Sequence, residues 1–430
     1  MRLIADPNEL SEFLSALRDR RAAPDPAIDT VVRAILDDVR KDGDAALCAW
    51  TAKLDGAALS AATLRVDEAE CRAALEGLDP ADRAALALAA ERVQAFHARQ
   101  RRESWMTTEP GTGLLGQLVH AIQRVGVYAP GGSAAYLSSV LMNAIPAQVA
   151  GVEEIALCTP PGPDGRVPCA VLAAASLLGI REVYRVGGAQ AIGALAYGTA
   201  TIGPVDKIVG PGNIYVATAK RLVFGLVGID VIAGPSEVLI VADETATAAW
   251  VAADLLAQAE HDPMAAAICI TPSQRIGREV QAEVARQLAL LPREAIAAQS
   301  LERYGAVMRV PDLPAAMRLA NLIAPEHLEL LVDDPWSLVP AVRAAGAVFL
   351  GHHTPEPAGD YLAGPNHVLP TGGTARFSSG LSVEDFQTRS SLLALTPEAL
   401  AGWRGPITRL ANLEGLAGHA RAITVRTEGA

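Results

Sequence analysis

The sequence predicts an α/β fold built on mainly parallel sheets. From about residue 123 to residue 364, short runs rich in Val and Ile alternate with Ala-rich stretches of helical spacing. Turns rich in Gly and Pro separate the runs, notably at 130–132, 210–212 and 234–235. Because parallel strands need crossover connections, usually helices, this alternation is typical of βαβ units. Because these turns interrupt the series of strands, the pattern favours two smaller sheets over a single sheet.

The elements follow from the pattern in chain order. The first twenty residues have amphipathic helical spacing, and residues 28–100 continue with helical spacing and few strand-like runs. The predicted strands are 124–128, 154–158, 182–186, 206–209, 238–241, 267–271, 306–310 and 347–350. Helices are predicted between them, for example over 170–178, 215–224 and 245–260. Residues 364–380 are loop-rich, and the last fifty form short helical stretches with too little core of their own, so they should pack on another domain or subunit.

Size and charge limit the possible functions. A chain of 430 residues is long enough for two to four compact units of roughly 150 residues each. The net charge of −12 argues against nucleic acid as a partner, since a phosphate backbone requires clustered Lys and Arg. The nearest basic cluster fits a solvated helix face better: Arg92, Arg99, Arg101 and Arg102.

The sequence also predicts a cytoplasmic protein with no membrane partner. Its first residues lack a basic segment followed by an apolar one, and no apolar run reaches the roughly 18 residues of a membrane span. The five cysteines are an odd number without CxxC spacing, which indicates reduced thiols. No cysteine lies beside a candidate base, so oxidation of an aldehyde would need another group to activate water.

Three Gly-rich turns follow predicted strands, at 126–132, 187–190 and 210–213. Turns of this kind bind phosphates where a helix N-terminus offers free N–H groups. None has the GxGxxG or Walker spacing, so each could equally be a tight strand-to-helix turn. Their occurrence three times keeps a nucleotide or small anionic ligand open as the alternative.

Histidine and carboxylate positions suggest further sites. His97 and His120 are interpreted as structural, whereas one loop offers either a metal cluster or a solvated polar surface: His352, His353, Asp360 and His367. Gln258 and His261 are three residues apart and share a helix face, although spacing alone would equally allow Glu260 or Asp262 as a ligand.

Glu326 and His327 could supply two proton-transfer groups with separable pKa values, or could be a surface pair. Adjacent residues on regular structure point apart, so both would reach one pocket only from a loop. By spacing alone, Glu414 and His419 look like surface residues.

Seven motifs occur in a fixed order along the chain. They are RVGVYAPGG (124–132), GGAQAI (187–192), DKIVGPGN (206–213), AGPSE (233–237), QAEHD (258–262), PEHLE (325–329) and GDYLAGPNHVLP (359–370). Together they resemble the histidinol dehydrogenase family, from about residue 30 to the C-terminus.

The resemblance implies two Rossmann-like α/β domains, incomplete because GxGxxG is absent, with small helical tails. The expected division has an N-terminal tail at 1–22 and a main domain at 23–127 and 236–380 that carries most of the zinc and catalytic residues. An inserted NAD-contacting domain is expected at 128–235. A C-terminal tail at 381–430 is expected to pack on the partner subunit of a homodimer.

The resemblance also implies the site residues. Four positions are similar to the ligands of one zinc ion per subunit, the last contributed by the partner subunit: Gln258, His261, Asp360 and His419. Glu326 and His327 are similar to the acid/base pair. Besides these six, the expected substrate contacts are Ser236, Tyr361, His367 and Glu414. The expected NAD contacts are Tyr128, Gln190 and Asn213.

The implied activity is oxidation of L-histidinol through L-histidinal to L-histidine with two NAD, the last steps of histidine biosynthesis. In it zinc positions the substrate, His327 is the base and Glu326 activates water. The alternatives are a paralogous zinc and NAD dehydrogenase for a polyol or sulfonated alcohol, and a zinc hydrolase. This chain departs from the family pattern at 265–267, where Ala replaces a usual Gln, and at Thr388 and Leu395. These departures concern tail packing rather than a proposed ligand.

Overall fold

The computed structural model describes residues 1–20, 26–131, 136–232 and 234–428. The strands of this part are β1 Arg2–Ile4, β2 Trp105–Glu109, β3 Gly113–Ala121, β4 Arg124–Tyr128, β5 Glu154–Thr159, β6 Glu182–Arg185, β7 Lys207–Val209, β8 Gly228–Ile229, β9 Glu237–Ala242, β10 Ala266–Thr271, β11 Gly305–Arg309, β12 His327–Leu331, β13 Ala347–Leu350 and β14 Gln387–Leu395.

The helices are α1 Pro7–Asp19, α2 Pro26–Asp42, α3 Asp44–Leu54, α4 Ala61–Leu64, α5 Glu68–Glu76, α6 Pro80–His97, α7 Leu137–Ala150, α8 Cys169–Leu177, α9 Gly188–Tyr197, α10 Ile214–Val223, α11 Ala248–Ala259, α12 Gln274–Leu288, α13 Glu294–Tyr304, α14 Leu313–Ile323, α15 Glu356–Ala358, α16 Pro397–Leu413 and α17 Ala417–Thr427. Short 3-10 turns cover Ala98–Gln100, Pro335–Ala341, Thr374–Arg376 and Val383–Phe386, and a π turn covers Gly359–Ala363.

One sheet has five parallel strands in the order β6-β5-β4-β7-β8. Counted from β4, this is the order 3-2-1-4-5 with which doubly wound nucleotide-binding sheets begin. Helices cover both faces: α5 to α8 pack on one, and α2, α3, α9 and α10 on the other. Since a parallel sheet is buried on both sides, its strands are continuous apolar runs, as in Val125–Val127 and 155–158.

A second sheet has six parallel strands in the order β1-β11-β10-β9-β12-β13. Helices α1 and α14 cover one face, and α11, α12 and α13 the other. The predicted α/β class with two parallel sheets is therefore confirmed. Strand β12 was not among the predicted strands, because the buried Glu329 interrupts its apolar run, His-Leu-Glu-Leu-Leu.

The N-terminal segment is part of this second sheet. Strand β1 pairs in parallel with β11, and the α1 side chains Phe13 and Leu17 are buried in the core beneath it. The prediction of a helical tail at 1–22 is correct for α1 and wrong for Arg2–Ile4, because three residues are too few to show a period in the sequence.

A third sheet is antiparallel, in the order β14-β3-β2. It was not predicted. Its last strand lies in the segment 381–430, for which only helices were predicted, and pairing with β3 rather than local propensity holds it extended. Helices α16 and α17 follow it and pack against each other.

The core packing groups the chain differently from the predicted domains. Helices α2 to α6 contribute their apolar faces to the two cores of the five-stranded sheet, and β4 is the central strand of that sheet. The division that the resemblance implies places 23–127 with 236–380 instead. The division of the chain into domains stays a prediction.

Among the described residues, no helix has the length and apolar character needed to cross a membrane.

Candidate active site

The pair Glu326 and His327 lies at the start of β12, in the interior of the six-stranded sheet. Strand β12 runs between β9 and β13, with His327 beside Val238 and Ala347. Both side chains of the pair are buried, and a Glu326 carboxylate oxygen lies 3.8 Å from His327 Nδ1. The two groups can lie close together because Glu326 precedes the first strand residue, so the alternation of side chains along a strand does not separate them.

Hydrogen bonding sets the tautomer of His327. Its Nδ1 lies 3.1 Å from the Glu237 carbonyl oxygen and 3.1 Å from Gln258 Oε1. Both atoms are acceptors, so Nδ1 carries the proton and Nε2 presents a lone pair. Within the described part of the chain, Nε2 has no hydrogen-bond partner. Burial lowers the pKa of His327 to about 3, which keeps the ring neutral and able to accept a proton.

The Glu326 carboxylate is buried but hydrogen-bonded. It accepts from the Glu237 backbone N–H at 2.9 Å and from the Ser236 hydroxyl. Burial, together with the neighbouring Glu237 and Asp360 charges, raises the pKa of Glu326 to about 8. A carboxylate with such a pKa is a much stronger base than an ordinary one, which suits proton transfer near neutral pH.

Gln258, His261 and Asp360 converge beside this pair. Gln258 is buried at the end of α11. His261 follows this helix and is exposed. Its backbone N–H donates to the Gln258 carbonyl oxygen at 3.2 Å. Burial raises the pKa of Asp360, and the His261 imidazole lowers it by a smaller amount. The resulting pKa of Asp360 is about 6. An imidazole nitrogen with amide and carboxylate oxygens is a donor set that suits zinc.

Glu356 is a further buried acid in this place, and sequence reasoning missed it. One of its oxygens lies 3.8 Å from His327 Nδ1, and ligand atoms of His327, Glu356 and Asp360 all lie within 4.8 Å of one another. It stands between two prolines in Thr-Pro-Glu-Pro, a pattern that indicates a loop but not the burial of its carboxylate. Burial raises its pKa well above the ordinary value.

A cavity of about 360 Å³ opens on this cluster. His327, Asp360 and His367 line it, together with apolar side chains including Phe96 and Phe349. Burial lowers the pKa of His367 to about 4, so this ring is neutral as well. A small organic molecule would meet a neutral base, a carboxylate and an apolar wall in this cavity.

The histidine-rich loop separates into two parts. His352 lies 3.2 Å from the Thr245 hydroxyl and His353 packs on Trp250, whereas Asp360 and His367 face the cavity. A metal cluster of all four residues is therefore excluded.

The three Gly-rich turns meet at the carboxyl edge of the five-stranded sheet. They follow β4, β6 and β7, and Gly131 and Gly187 both pack closely on Pro160, which follows β5. The Tyr128 hydroxyl accepts the Gly188 N–H at 3.1 Å, which ties the first turn to the second. Ligands of such sheets bind at this edge. The last residue of the first turn, Gly132, lies outside the described residues, as do 133–135.

The three predicted cofactor contacts differ in their surroundings. Tyr128 and Gln190 are buried, and in the described residues neither amide atom of Gln190 has a hydrogen-bond partner. Asn213 is exposed, and its side-chain oxygen caps α10 by accepting the N–H groups of Tyr215 and Val216. The cap presents the N-terminus of α10 at the same edge of the sheet.

A buried ion pair holds the third turn. Asp230 accepts the Gly210 N–H at 2.7 Å, Lys220 donates to the Gly210 carbonyl at 3.0 Å, and Lys220 and Asp230 pair with each other. Gly210 has a φ of +120°, and a Cβ there would overlap the Tyr128 carbonyl oxygen.

We expect Gly210→Ala to destabilise the fold by about 3 kcal/mol, because it adds a backbone clash to the strain of a positive φ. Gly225→Ala is the matched control: its φ is +100°, yet no atom lies within 4 Å of its Cβ position. Urea unfolding of both variants measures the difference. If both variants lost the same free energy of unfolding, the clash at Gly210 would have no energetic cost beyond that of the positive φ.

Of the ten expected substrate and metal residues, only His327, Asp360 and His367 line the cavity. Tyr361 is 59% exposed, and Glu414 and His419 are exposed on the α16–α17 pair. Neither Glu414 nor His419 lines the cavity of its own chain. Their assignment to the site stays a prediction that depends on a second copy of the chain.

Comparison with known proteins agrees with this geometry. The family model for histidinol dehydrogenase matches residues 18–427. Histidinol dehydrogenase of Syntrophotalea carbinolica is 52% identical over 427 residues, covering 99% of each chain, and that of Moorella thermoacetica is 54% identical over 397 residues, covering 92% of this chain and 94% of the relative.

The crystal structure of histidinol dehydrogenase from Elizabethkingia anophelis superimposes with a TM-score of 0.93 at 38% identity, covering 99% of this chain and 98% of that one. Because the match covers 99% of this chain, it extends over both parallel sheets. The resemblance of the seven motifs is thus confirmed, and the chain belongs to the histidinol dehydrogenase family of oxidoreductase enzymes.

Proposed function

We propose that this protein oxidises L-histidinol through L-histidinal to L-histidine, using two NAD, as the last steps of histidine biosynthesis. The observation that carries the proposal is that His327, a neutral ring with a free Nε2, lines the cavity and lies beside a buried Glu326 of raised pKa. Two successive oxidations of one carbon need a base for the hydroxyl proton and a second base for water.

His327 is the proposed base for the alcohol. Its Nδ1 proton is engaged by Glu237 and Gln258, which leaves Nε2 to accept the hydroxyl proton as hydride departs from the same carbon. When bound, NAD accepts that hydride in each of the two oxidations. Tyr128, Gln190 and Asn213 are the proposed contacts for the dinucleotide, supported by their place on the three turns.

Glu326 is the proposed base for water in the second oxidation. The Glu237 N–H and the Ser236 hydroxyl orient its carboxylate, and its raised pKa suits removal of a proton from water as the oxygen adds to the aldehyde carbon. Addition of one water, followed by loss of a second hydride and of two protons in all, the first of them to Glu326, converts the aldehyde to the carboxylate.

The proposed metal is one zinc ion per subunit, held by Gln258, His261 and Asp360 with His419 of the partner subunit. When bound, zinc supplies a fixed position for the nitrogen atoms of the substrate. The remaining proposed substrate contacts are Ser236, Tyr361, His367 and Glu414. The exposed position of the α16–α17 pair supports contribution of Glu414 and His419 to a second subunit of a homodimer.

The test is NADH formation, followed by absorbance, with a limiting amount of L-histidinol. We expect two NADH per histidinol, loss of turnover after chelation of metal, and recovery with zinc. Correctly folded, zinc-loaded protein that leaves histidinol unchanged would contradict the proposal. A screen of polyols and sulfonated alcohols would then test the paralogous activity, and NAD-independent hydrolysis would indicate the zinc hydrolase.

A further inference from the structure

Glu237 connects the two proposed catalytic residues through its backbone. Its N–H donates to Glu326 at 2.9 Å, and its carbonyl oxygen lies 3.1 Å from His327 Nδ1. A single residue at the start of β9 therefore sets both the direction of the carboxylate and the tautomer of the imidazole. Any shift of this residue would move both groups relative to the substrate.

The side chain of Glu237 is anchored from a distant part of the chain. It forms an ion pair with Arg20, at the end of α1, and the side chains are 4% and 0% exposed. The Arg20 guanidinium also donates to the Met264 carbonyl oxygen at 2.7 Å and lies 5.3 Å from the centre of the Tyr304 ring. The packing of α1 against the six-stranded sheet thus fixes where Glu237 can lie.

Met264 belongs to the loop that carries His261. The Met264 N–H is held by Asp262 at 2.7 Å, and the same loop leads into β10, where the Ala266 N–H donates to the Ser236 carbonyl oxygen. Through its two contacts, Arg20 ties the loop of a proposed metal ligand to the residue that holds the proposed acid/base pair.

Stability alone does not account for a charge pair in this position. Removing two charges from water costs several kcal/mol per ion, and apolar pairs of similar volume are often as stable or more stable. A buried ion pair that contacts two parts of a reaction site is suited to hold those parts in fixed positions.

We propose that the Arg20–Glu237 ion pair is a positioning device that fixes Glu326 and His327 relative to the His261 loop. The inference rests on the proposed function for its catalytic readout. Neither residue touches the substrate, so their effect is on the placement of the groups that do.

The first test is Glu237→Gln, which keeps the backbone contacts and the side-chain shape but weakens the anchor. We expect kcat with histidinol to fall by about 10- to 100-fold, as is usual for residues that orient the groups of a reaction site without touching the substrate. KM for histidinol should change by less than about threefold, because uniform binding is not removed. Arg20→Lys should retain part of the rate, since it keeps the charge but loses the two-pronged contact.

A double variant separates position from stability. In Arg20→Met with Glu237→Met both charges are absent, so the urea midpoint should return towards that of the parent protein while kcat stays low. Recovery of kcat together with stability would overturn the inference and show a structural role only. The matched control is Glu182→Gln, which breaks a partly buried pair with Arg124 at the amino edge of the other sheet and should leave kcat unchanged.

The parent protein assayed alongside distinguishes the two proposals. If the parent oxidises histidinol and Glu237→Gln is equally fast, only the positioning proposal fails. If the parent does not turn over histidinol, the proposed function fails. Crystal structures of the parent and of Glu237→Gln then test positioning without activity: the inference requires a displaced His327 ring in the variant, and an unmoved ring would overturn it.

Discussion

Replacement of His327 by Ala is expected to lower kcat for histidinol oxidation by about 10³-fold, since a positioned general base contributes 10² to 10⁴. The His327 ring lines the cavity, its Nε2 has no hydrogen-bond partner in the described residues, and carboxylate oxygens of Glu326 and Glu356 each lie 3.8 Å from its Nδ1. KM should change little, because the loss concerns an interaction made as the proton leaves. Steady-state NADH formation measures both constants.

The control for this variant is His353→Ala, which removes an exposed imidazole that packs on Trp250 rather than facing the cavity. It should keep the parent kcat. Since His327 is buried, urea unfolding must accompany the kinetics to show that the His327→Ala protein is folded. A folded His327→Ala enzyme with the parent turnover would remove this residue from the role of base.

The second large effect concerns sharing of the site between subunits. Glu326→Gln and His419→Ala homodimers are each expected to lose nearly all histidine formation, the first for want of the base for water and the second for want of a metal ligand. After subunit exchange, a mixed dimer holds one site with both residues intact. Random pairing makes half of the dimers mixed, so activity should return to about a quarter of the parent value.

This experiment has an internal comparison. By contrast, a mixture of Glu326→Gln with His327→Ala should recover no activity, because every chain then carries a defect in one of the two proposed catalytic residues. In that mixture each site takes Glu326 and His327 from one chain, so neither site is complete. Absence of recovery with Glu326→Gln and His419→Ala, despite demonstrated exchange, would place His419 within its own chain.

Much of the fold could be predicted because parallel strands buried on both faces have a strong signal. All eight predicted strands exist, with bounds that differ by one residue at most. Strands β2, β3 and β14 were missed, because they form an antiparallel sheet whose residues are largely exposed or half-buried, as at Trp105, Met106 and Leu393. Cross-strand pairing, which no local window contains, holds that sheet together.

The candidate site could be predicted from the sequence only in part. Glu326 and His327 stood out as neighbours, and Gln258 and His261 as residues on one turn of a helix. The carboxyl edge of a parallel sheet is the usual binding edge, and the Gly-rich turns follow that rule. The proposed catalytic residues lie instead at the amino edge of the other sheet, where β9, β12 and β13 begin.

The sequence by itself determined the α/β class and the three Gly-rich turns, since these depend on periodicity and residue type over short stretches, and it singled out Gln258, His261, Glu326 and His327 as candidates. Only the tertiary structure decided that Glu356 is buried beside His327, that α2 to α6 cover the five-stranded sheet, and that Arg20 reaches Glu237. Such facts depend on contacts between segments far apart in the chain. Burial and the resulting pKa shifts are properties of that packing, and no spacing of residues encodes them locally.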